Sequence, residues 1–373
     1  MFAIRSCSAR LAAVSTDHLP YAATPGGVVV RWGTEAIDLA TAAHERPDLA
    51  LLVREPSLDP LLAAGPDAWA EVRAWARALV DTAPRTPVAA LELLLPFTIA
   101  DYVDCYASEV HASTVSRVLR PGAPPLHPNW RHLPVSYHGR AGSVVVSGTP
   151  VRRPRGQVVS DPAGPPTYAA TARLDFEAEL GWVVGTPLER GATLTPAEAE
   201  RHVFGVVGLN DWSARDVQAW ETVPLGPHLG KSFATSVSAW VTPLAALAQA
   251  RVPLPGQDPP PLPHLAVTEP AGVDLDVEIE VDGEVVSRPR ARDLYWSPGQ
   301  LVAHVTSNGA GLRTGDLIAS GTISSLGAPG CLLERGDPDG YLADGSEVVL
   351  RYAAGPVVLG EVRGRVEAAV GQP

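Results

Sequence analysis

The sequence has 373 residues, of which 46% are hydrophobic and 19% are charged, and its formal net charge is -12 at pH 7. This length suits about two hydrophobic cores, and the composition is typical of folded globular proteins rather than of disordered chains. The acidic balance and the absence of a Lys/Arg run argue against partners that need a basic surface, so we expect neither nucleic acid nor a membrane as a partner.

The cysteine content and the amino terminus indicate a cytoplasmic protein. Cys7, Cys105 and Cys331 are too few and too scattered for a disulfide framework or a Cys-x-x-Cys metal site, which is typical of a reducing compartment. We expect them to be buried thiols. Arg5 and Arg10 interrupt what would have to be the apolar core of a signal peptide, so we expect no export signal and no transmembrane span.

Residues 1–96 are predicted to form a smaller domain that starts with short β-strands, such as one over residues 28–30, and ends in a helix. The helix prediction rests on apolar residues at three- and four-residue spacing from Trp69 to Val80, with Pro84 closing the segment. From residue 97 onward, short β-branched segments alternate with Gly and Pro, which predicts a strand-rich domain. Two inserted helices are expected to begin at Thr195-Pro196 and at Ser297-Pro298.

The segment 174–180 alternates strictly between apolar and acidic residues, which predicts one continuous strand with its acids on one face. Glu177 and Glu179 would stand ~7 Å apart, where two like charges need solvent, a proton or a bridging cation. The segment 273–281 alternates equally well and leads into an Asp-Gly turn, so its acids are expected to lie on a solvated hairpin face. The alternation alone therefore leaves both interpretations open for Glu177 and Glu179.

Two further segments place acids beside other functional side chains: residues 104–120 and residues 210–235. The oxygen ligands of Asp104, Glu177, Glu179 and Asp211 would suit a hard cation such as Mg²⁺, Ca²⁺ or Mn²⁺. No nucleophile elbow, phosphate-binding loop or dinucleotide-binding motif is present.

Lys231 is the only lysine among the 29 basic Lys and Arg residues. A site that needs a compact ammonium would retain a lysine, although a chance surface lysine would look the same in the sequence.

Seven blocks, in this order, resemble the fumarylacetoacetate hydrolase family, and the resemblance runs nearly end to end. The blocks are HLPY at 18–21, DYVDCYASEVHAS at 101–113, residues 128–150, LDFEAEL at 174–180, NDWSARDVQAWE at 210–221, PLGPHLGKSFATS at 224–236 and ASGTISS at 319–325. The resemblance implies an α+β, strand-rich fold, with a small SH3-like barrel over residues 1–96 and a mixed β-roll catalytic domain over residues 97–373. It also implies a homodimer.

The resemblance implies a role for each matching residue. His111 matches the general base, Glu334 the carboxylate that orients it, and Arg215, Gln218 and Lys231 the groups that stabilise negative charge. The metal ligands would be Asp104, Glu177, Glu179 and Asp211, holding Ca²⁺ or Mg²⁺, with Mn²⁺ as an alternative. Substrate contacts would come from Tyr106, Arg120, Tyr137, Gln218 and Thr322, and a second cation site from Asp211, Lys231 and Thr235.

The activity that the resemblance implies is metal-dependent hydrolysis of a carbon-carbon bond in a β-diketone acid, with 4-fumarylacetoacetate of tyrosine and phenylalanine catabolism as the expected substrate. Two positions depart from the family: Thr222 replaces a substrate-contacting tyrosine, and Cys105 replaces a bulky aromatic residue. An alternative is therefore an enzyme of drifted specificity, such as an acylpyruvate hydrolase, a decarboxylase or an isomerase of secondary metabolism. A non-catalytic binding protein is the alternative from another class.

Overall fold

The computed structural model of the protein describes residues 18–159, 161, 164–337 and 340–371, and no helix within these ranges is long and apolar enough to cross a membrane. The export-signal prediction rests on Arg5 and Arg10, which lie outside the described residues, as does Cys7. Cys105 and Cys331 are buried free thiols, as predicted.

The amino-terminal part is a four-stranded antiparallel sheet with short helices. Its strands, in the order in which they pair, are β1 (Tyr21–Thr24), β2 (Gly27–Trp32), β3 (Glu35–Asp38) and β4 (Arg85–Pro87). Its helices are α1 (Leu39–Ala42), α2 (Ala50–Val53), α3 (Asp59–Ala63) and α4 (Pro66–Leu79). The predicted strand is confirmed as β2. The predicted helix is confirmed as α4, which buries Val72, Trp75, Ala76 and Leu79 on one face.

The rest of the chain is mainly β-structure with single helices between strands. The helices are α5 (Glu109–Leu119), α6 (Pro196–His202), α7 (Arg215–Glu221) and α8 (Pro298–Thr306). The first strands are β5 (Asp101–Cys105), β6 (Ser136–His138), β7 (Val144–Val146), β8 (Val151–Arg152), β9 (Arg155–Val158), β10 (Thr167–Ala170), β11 (Leu174–Asp175), β12 (Ala178–Val184), β13 (Val203–Asp211) and β14 (Ser213–Ala214). The later strands are β15 (Thr235–Val237), β16 (Thr242–Pro243), β17 (Arg251–Val252), β18 (Gly272–Val273), β19 (Asp276–Val281), β20 (Glu284–Ser287), β21 (Asp316–Ala319), β22 (Glu347–Ala354), β23 (Val357–Val358) and β24 (Val362–Glu367).

Two larger sheets organise these strands. An eight-stranded sheet has the order β6-β5-β21-β12-β13-β15-β7, with β16 also paired to β13. A six-stranded sheet has the order β20-β19-β22-β24-β8, with β23 paired to β22. The fold is therefore mixed α+β and strand-rich, with a small amino-terminal sheet before the larger ones.

One edge of the eight-stranded sheet collects strand ends that are distant in sequence. β5 and β21 run parallel, whereas β12 is antiparallel to both β21 and β13, and β15 is antiparallel to β13. The ends of β5, β21 and β13 therefore meet the starts of β12 and β15 at the same edge. This arrangement brings Asp104, Glu179, Asp211 and Thr235 to that edge.

The helix starts predicted from sequence are confirmed by reciprocal capping. The Thr195 hydroxyl and the Glu198 side chain cap α6, and Ser297 and Gln300 do the same for α8. Each pair satisfies backbone N–H groups that would otherwise lack a partner in the first helical turn.

The prediction of one continuous strand over residues 174–180 is wrong. The segment divides into β11, which pairs with β14, and β12, which belongs to the eight-stranded sheet. Between them, the Glu177 N–H donates to the Asn210 side chain at 3.1 Å, and the Glu177 carbonyl accepts from Asp211 N–H at 3.2 Å. At Glu177 these contacts replace the regular hydrogen bonds of a strand, and the Glu177 side chain is buried.

The predicted hairpin is confirmed as β19 and β20, with Asp282 and Gly283 at positive φ in the turn. Its acidic face is not simply solvated, because Glu278 is buried and pairs with Arg288 at 3.0 Å. Glu280 similarly lies 2.7 Å from Arg351. Arginines on neighbouring segments therefore neutralise this face.

The amino-terminal sheet shares a hydrophobic core with the eight-stranded sheet. Phe204 of β13 makes edge contacts with Tyr21 of β1 and with Trp69 of α4, at ring-centroid distances of 5.8 and 5.3 Å. A backbone bridge also joins Tyr21 to Val241. The two parts are thus packed together, and the division between residues 96 and 97 stays a prediction.

We expect Phe204→Ala to lower the free energy of unfolding by ~3–5 kcal/mol, because it leaves a cavity between the two parts. Urea denaturation would measure this change. The control is Tyr168→Ala; Tyr168 is 56% exposed, and loss of its ring should change the stability by ~0.5 kcal/mol or less. Equal denaturation midpoints for the two variants would contradict the shared core.

Candidate active site

Four carboxylates converge at the sheet edge described above. They form what we call the acid cluster, whose members are Asp104, Glu177, Glu179 and Asp211. One oxygen from each lies within 4.8 Å of the others, and all four residues are buried, with at most 5% exposed. Such a set of hard oxygen donors is the kind that binds Mg²⁺, Ca²⁺ or Mn²⁺.

The hydrogen bonding of the acid cluster fits a cation better than a closed network of side chains. Among the described residues, Asp104 Oδ1 and both carboxylate oxygens of Glu179 are buried without a hydrogen-bond partner. Burial and the neighbouring carboxylates raise the pKa of Asp104 and of Glu179 well above their ordinary values. A divalent cation would supply both the missing contacts and the missing positive charge.

Two buried cations border the acid cluster on one side. The Lys231 ammonium donates to Glu177 and lies 2.9 Å from an Asp211 oxygen, so the lone lysine is not a surface residue. The Arg215 guanidinium lies 2.8 Å from Glu177. Burial opposes ionisation of Glu177, but these two cations outweigh it and hold the pKa of Glu177 below its usual range. Glu177 therefore stays ionised even though it is buried.

A buried histidine-carboxylate pair lies beside this network. His111 is in the first turn of α5, which the Ser108 hydroxyl caps by accepting from the His111 N–H at 3.2 Å. Its Nδ1 is 2.8 Å from Glu334 Oε1. That oxygen also accepts from the Ser324 hydroxyl at 2.6 Å. Burial opposes ionisation of Glu334, but the contacts with His111 and Ser324 lower its pKa.

Because an ionised carboxylate only accepts hydrogen bonds, the proton between the two side chains belongs to His111 Nδ1, and in the neutral form of the ring Nε2 is then free as an acceptor.

Tyr106 packs against His111 and lies near Glu177 of the acid cluster. Its ring makes an edge contact with the His111 imidazole at 5.3 Å between centroids. Burial and the charge of Glu177 raise the pKa of its hydroxyl, so it remains protonated. The arrangement places a phenol next to the candidate base.

Asp175 connects Arg215 to the turn that carries Glu334, and its role is missing from the sequence predictions. One carboxylate oxygen accepts from Arg215 Nε at 2.9 Å and from the Leu333 N–H at 3.0 Å, and the other accepts from the Leu332 N–H at 2.8 Å. The residue is fully buried. The alternation of residues 174–180 groups it with Glu177 and Glu179, so the sequence pattern already contained a signal for it.

Other predicted site residues contact Asp211. The Tyr137 hydroxyl lies 2.7 Å from an Asp211 oxygen and 2.9 Å from an Asp104 oxygen, although it can donate to only one of them at a time. Thr235 donates to the other Asp211 oxygen at 3.1 Å. Of the residues of the predicted second cation site, Lys231 and Thr235 therefore both contact the third, Asp211, and the Lys231 ammonium already supplies one positive charge there.

Gln218 is held between Arg215 and the turn that carries Lys231. Its side-chain oxygen accepts from Arg215 Nη1 at 3.1 Å, so its NH₂ group points away from the guanidinium. Gly230 packs so closely that a Cβ there would lie 2.6 Å from the Gln218 Cα. The close approach of the two segments therefore requires glycine at position 230.

The two remaining residues that were predicted to contact the substrate, Thr322 and Arg120, lie in different surroundings. Thr322 is buried and its hydroxyl lacks a hydrogen-bond partner among the described residues. It follows Gly321, whose φ is +73° and whose Cβ position would fall 2.1 Å from the Cys105 carbonyl oxygen. Arg120, in contrast, lies at the far end of α5, where its guanidinium bonds to the Ser116 hydroxyl at 2.7 Å.

The comparisons with known proteins agree with this architecture. Residues 102–367 match the family described as fumarylacetoacetate (FAA) hydrolase C-terminal. The fumarylacetoacetase of Bos taurus is 40% identical over 356 residues, which cover 85% of this chain and 85% of that protein.

Solved structures show the same fold at low sequence identity. The fumarylacetoacetate hydrolase of Exiguobacterium antarcticum is similar with a TM-score of 0.61 at 22% identity, covering 94% of this chain and 99% of that one. The maleylpyruvate hydrolase of Sphingobium sp. SYK-6, solved with manganese(II) and pyruvate, has a TM-score of 0.55 at 18% identity, covering 94% of this chain and all of that one. With a family match over most of its length and a relative at 40% identity, the chain belongs to the fumarylacetoacetate hydrolase family.

Proposed function

We propose that the protein hydrolyses a carbon-carbon bond in a β-diketone acid, and that its substrate is 4-fumarylacetoacetate, which gives fumarate and acetoacetate. The observation that carries this proposal is the position of a buried acid cluster next to a histidine whose Nδ1 is bonded to Glu334. The name fumarylacetoacetase of a relative with 40% identity supports the choice of substrate. The reaction would belong to tyrosine and phenylalanine catabolism.

The acid cluster would hold the metal, and we propose Mg²⁺ or Ca²⁺, with Mn²⁺ as an alternative. When bound, such an ion supplies Lewis-acid stabilisation to the two enolisable oxygens of a β-diketone. The orphaned oxygens of Asp104 and Glu179 support this assignment. Asp211, Lys231 and Thr235 are proposed to border a second cation.

His111 would act as the general base. With its proton on Nδ1 and donated to Glu334, its Nε2 can accept a proton from a water molecule as that water attacks the carbonyl carbon. Glu334 would keep the ring in this tautomer and stabilise the imidazolium that forms. The leaving carbon would depart as an enolate and then take up a proton.

Lys231 and Arg215 would stabilise the oxyanion that develops during attack. The Lys231 ammonium has three N–H donors, of which Glu177 and Asp211 occupy two, so one remains for the substrate. The free NH₂ of Gln218 would add a neutral donor. A single pre-organised donor of this kind can lower the activation barrier by ~3 kcal/mol.

We further propose that Tyr106, Arg120, Tyr137, Gln218 and Thr322 contact the substrate. Thr322 has the clearest support, because its buried hydroxyl has no other partner among the described residues. Arg120 would need its side chain to leave Ser116.

The finer architecture also belongs to this proposal. We propose that residues 1–96 form an SH3-like barrel domain, that residues 97–373 form a β-roll catalytic domain, and that the enzyme is cytoplasmic. The two buried free thiols among the described residues support a reducing location.

The enzyme is also proposed to be a homodimer. The last turn of α7 and the segment that follows it expose four large apolar side chains, Trp220, Val223, Leu225 and Leu229, with Leu225 96% exposed. Such a patch is typical of a protein interface.

Drifted specificity is the second candidate function, and Thr222 favours it. Thr222 caps α7 and is exposed, and its hydroxyl donates to the Gln218 carbonyl at 2.6 Å. A tyrosine at this position could extend its hydroxyl beyond the helix end, whereas the threonine is occupied locally. An acylpyruvate could then replace fumarylacetoacetate as the preferred substrate.

Product analysis tests the proposed function directly. Purified protein with Mg²⁺ or Ca²⁺ is expected to convert fumarylacetoacetate to fumarate and acetoacetate with uptake of one water, as measured by mass spectrometry. A chelator should abolish turnover, and added metal should restore it. Carbon dioxide release or a product of unchanged mass would contradict hydrolysis. A higher kcat/KM for an acylpyruvate would support drifted specificity instead.

His111→Ala is expected to lower kcat by ~10²–10⁴-fold, because the general base is lost. The affinity for Mg²⁺, measured by calorimetry, should stay nearly unchanged because His111 is not in the acid cluster. Glu334→Gln should also lower kcat. His132→Ala is the control, since this histidine is exposed and should leave kcat unchanged. Full turnover by His111→Ala would exclude the base assignment.

Leu225→Asp is expected to convert the dimer to a monomer, because it places a charge in the apolar patch. Size-exclusion chromatography with light scattering would measure the mass. Leu51→Asp is the matched control, since Leu51 is 79% exposed on α2, outside the patch. A monomeric wild-type protein, or a Leu225→Asp variant that stays dimeric, would contradict the proposed interface.

A further inference from the structure

Three different kinds of metal-binding atom converge at the candidate base. One ligand atom each from His111, Cys331 and Glu334 lies within 4.8 Å of the other two. Glu334 Oε1 is 2.8 Å from His111 Nδ1 and 3.5 Å from Cys331 Sγ. All three side chains are nearly inaccessible to solvent. The catalytic proposal uses the histidine and the carboxylate but gives the thiol no role.

The sulfur and the carboxylate oxygen already have the separation of two ligands in a tetrahedral site, whereas the 2.8 Å between His111 Nδ1 and Glu334 Oε1 is a hydrogen-bond distance that zinc binding would lengthen to ~3.3 Å. With zinc-sulfur bonds of ~2.3 Å and zinc-oxygen bonds of ~2.0 Å, the sulfur and oxygen ligands of one zinc ion lie ~3.5 Å apart. The Cys331 and Glu334 atoms already have this separation. A water molecule or the Ser324 hydroxyl, which lies 2.6 Å from the same carboxylate oxygen, could complete four ligands.

The ligand types separate this site from the acid cluster. A thiolate and an imidazole favour zinc and similar thiophilic ions, whereas an all-carboxylate set favours Mg²⁺, Ca²⁺ or Mn²⁺. The two sites can therefore take different metals at the same time.

We propose that His111, Cys331 and Glu334 form a second metal site that takes Zn²⁺ or a similar thiophilic ion, and that its occupancy inhibits the enzyme. The inhibition rests on the proposed function of His111, whereas the metal site does not. Binding replaces the hydrogen bond between His111 and Glu334 with two metal bonds. The Cys331 thiol loses its proton to solvent, and the sulfur bonds to the metal.

The expected inhibition follows from the tautomer of the histidine. Nδ1 becomes a metal ligand, so the single proton of the neutral ring resides on Nε2. Nε2 can then no longer accept a proton from water. The bound ion would therefore stop His111 from acting as a base while the imidazole stays in place.

Cobalt absorption tests the site independently of activity. The reference protein is a Cys7→Ala/Cys105→Ala variant saturated with Mg²⁺, so Cys331 is its only thiol. Added Co²⁺ is expected to give a thiolate-to-cobalt charge-transfer band, because Co²⁺ bound by carboxylates alone gives none. Adding Cys331→Ser should abolish the band. A missing band in the reference protein, or a band that survives Cys331→Ser, would overturn the proposed site.

Zinc titration of turnover tests the inhibition. Each variant is compared with its own zinc-free rate in the presence of Mg²⁺. Cys331→Ser is expected to raise the half-inhibiting zinc concentration by more than ~10-fold, since even outer-shell partners of a metal change its affinity by that amount. Cys105→Ala should leave zinc sensitivity unchanged. Equal zinc sensitivity of the Cys331→Ser variant and the wild type would overturn the inhibitory role, even if the cobalt band is present.

Discussion

The burial of four carboxylates at one sheet edge is the constraint on which the rest of the site depends. Like charges in a buried position cannot all stay ionised unless positive charge is brought to them. The protein supplies part of it through Lys231 and Arg215, which hold Glu177 ionised. Among the described residues, no Lys or Arg forms an ion pair with Asp104 or Glu179, and burial beside other carboxylates raises their pKa values. A metal ion would supply the positive charge that keeps them ionised. The acid cluster therefore lacks positive charge by itself, and a bound cation would balance it.

Hydrogen bonds connect the charged groups to His111, the proposed base. Asp175 bonds to Arg215 and to the backbone of the turn that begins at Leu332, and this turn positions Glu334 against His111. A shift of the guanidinium would therefore move the carboxylate that orients the imidazole. Fixed partners of this kind keep catalytic groups in place within a fraction of an ångström, which is where much of their effect originates.

Local patterns predicted what depends on local contacts. The periodicity of α4 and the capping residues of α6 and α8 were sufficient, because each helix and its cap lie within a few residues of each other. The break at Glu177 could not be predicted in this way, since it depends on the Asn210 side chain, 33 residues away. The pairing of Asp175 with the turn at 332–333 spans 157 residues or more and leaves no periodic signal. Alternation indicated which acids share a face, but only the strand order decides what that face meets.

The geometry of the site explains why the single lysine of the chain is at position 231. An ammonium carries three donors in a tetrahedral arrangement, so at one point it can meet Glu177 and Asp211 and still keep one donor. A guanidinium presents its donors in a planar fork, and Arg215 uses that fork to span Asp175 and Glu177. At position 231, where two carboxylates converge on one atom, the fork would have to displace one of them.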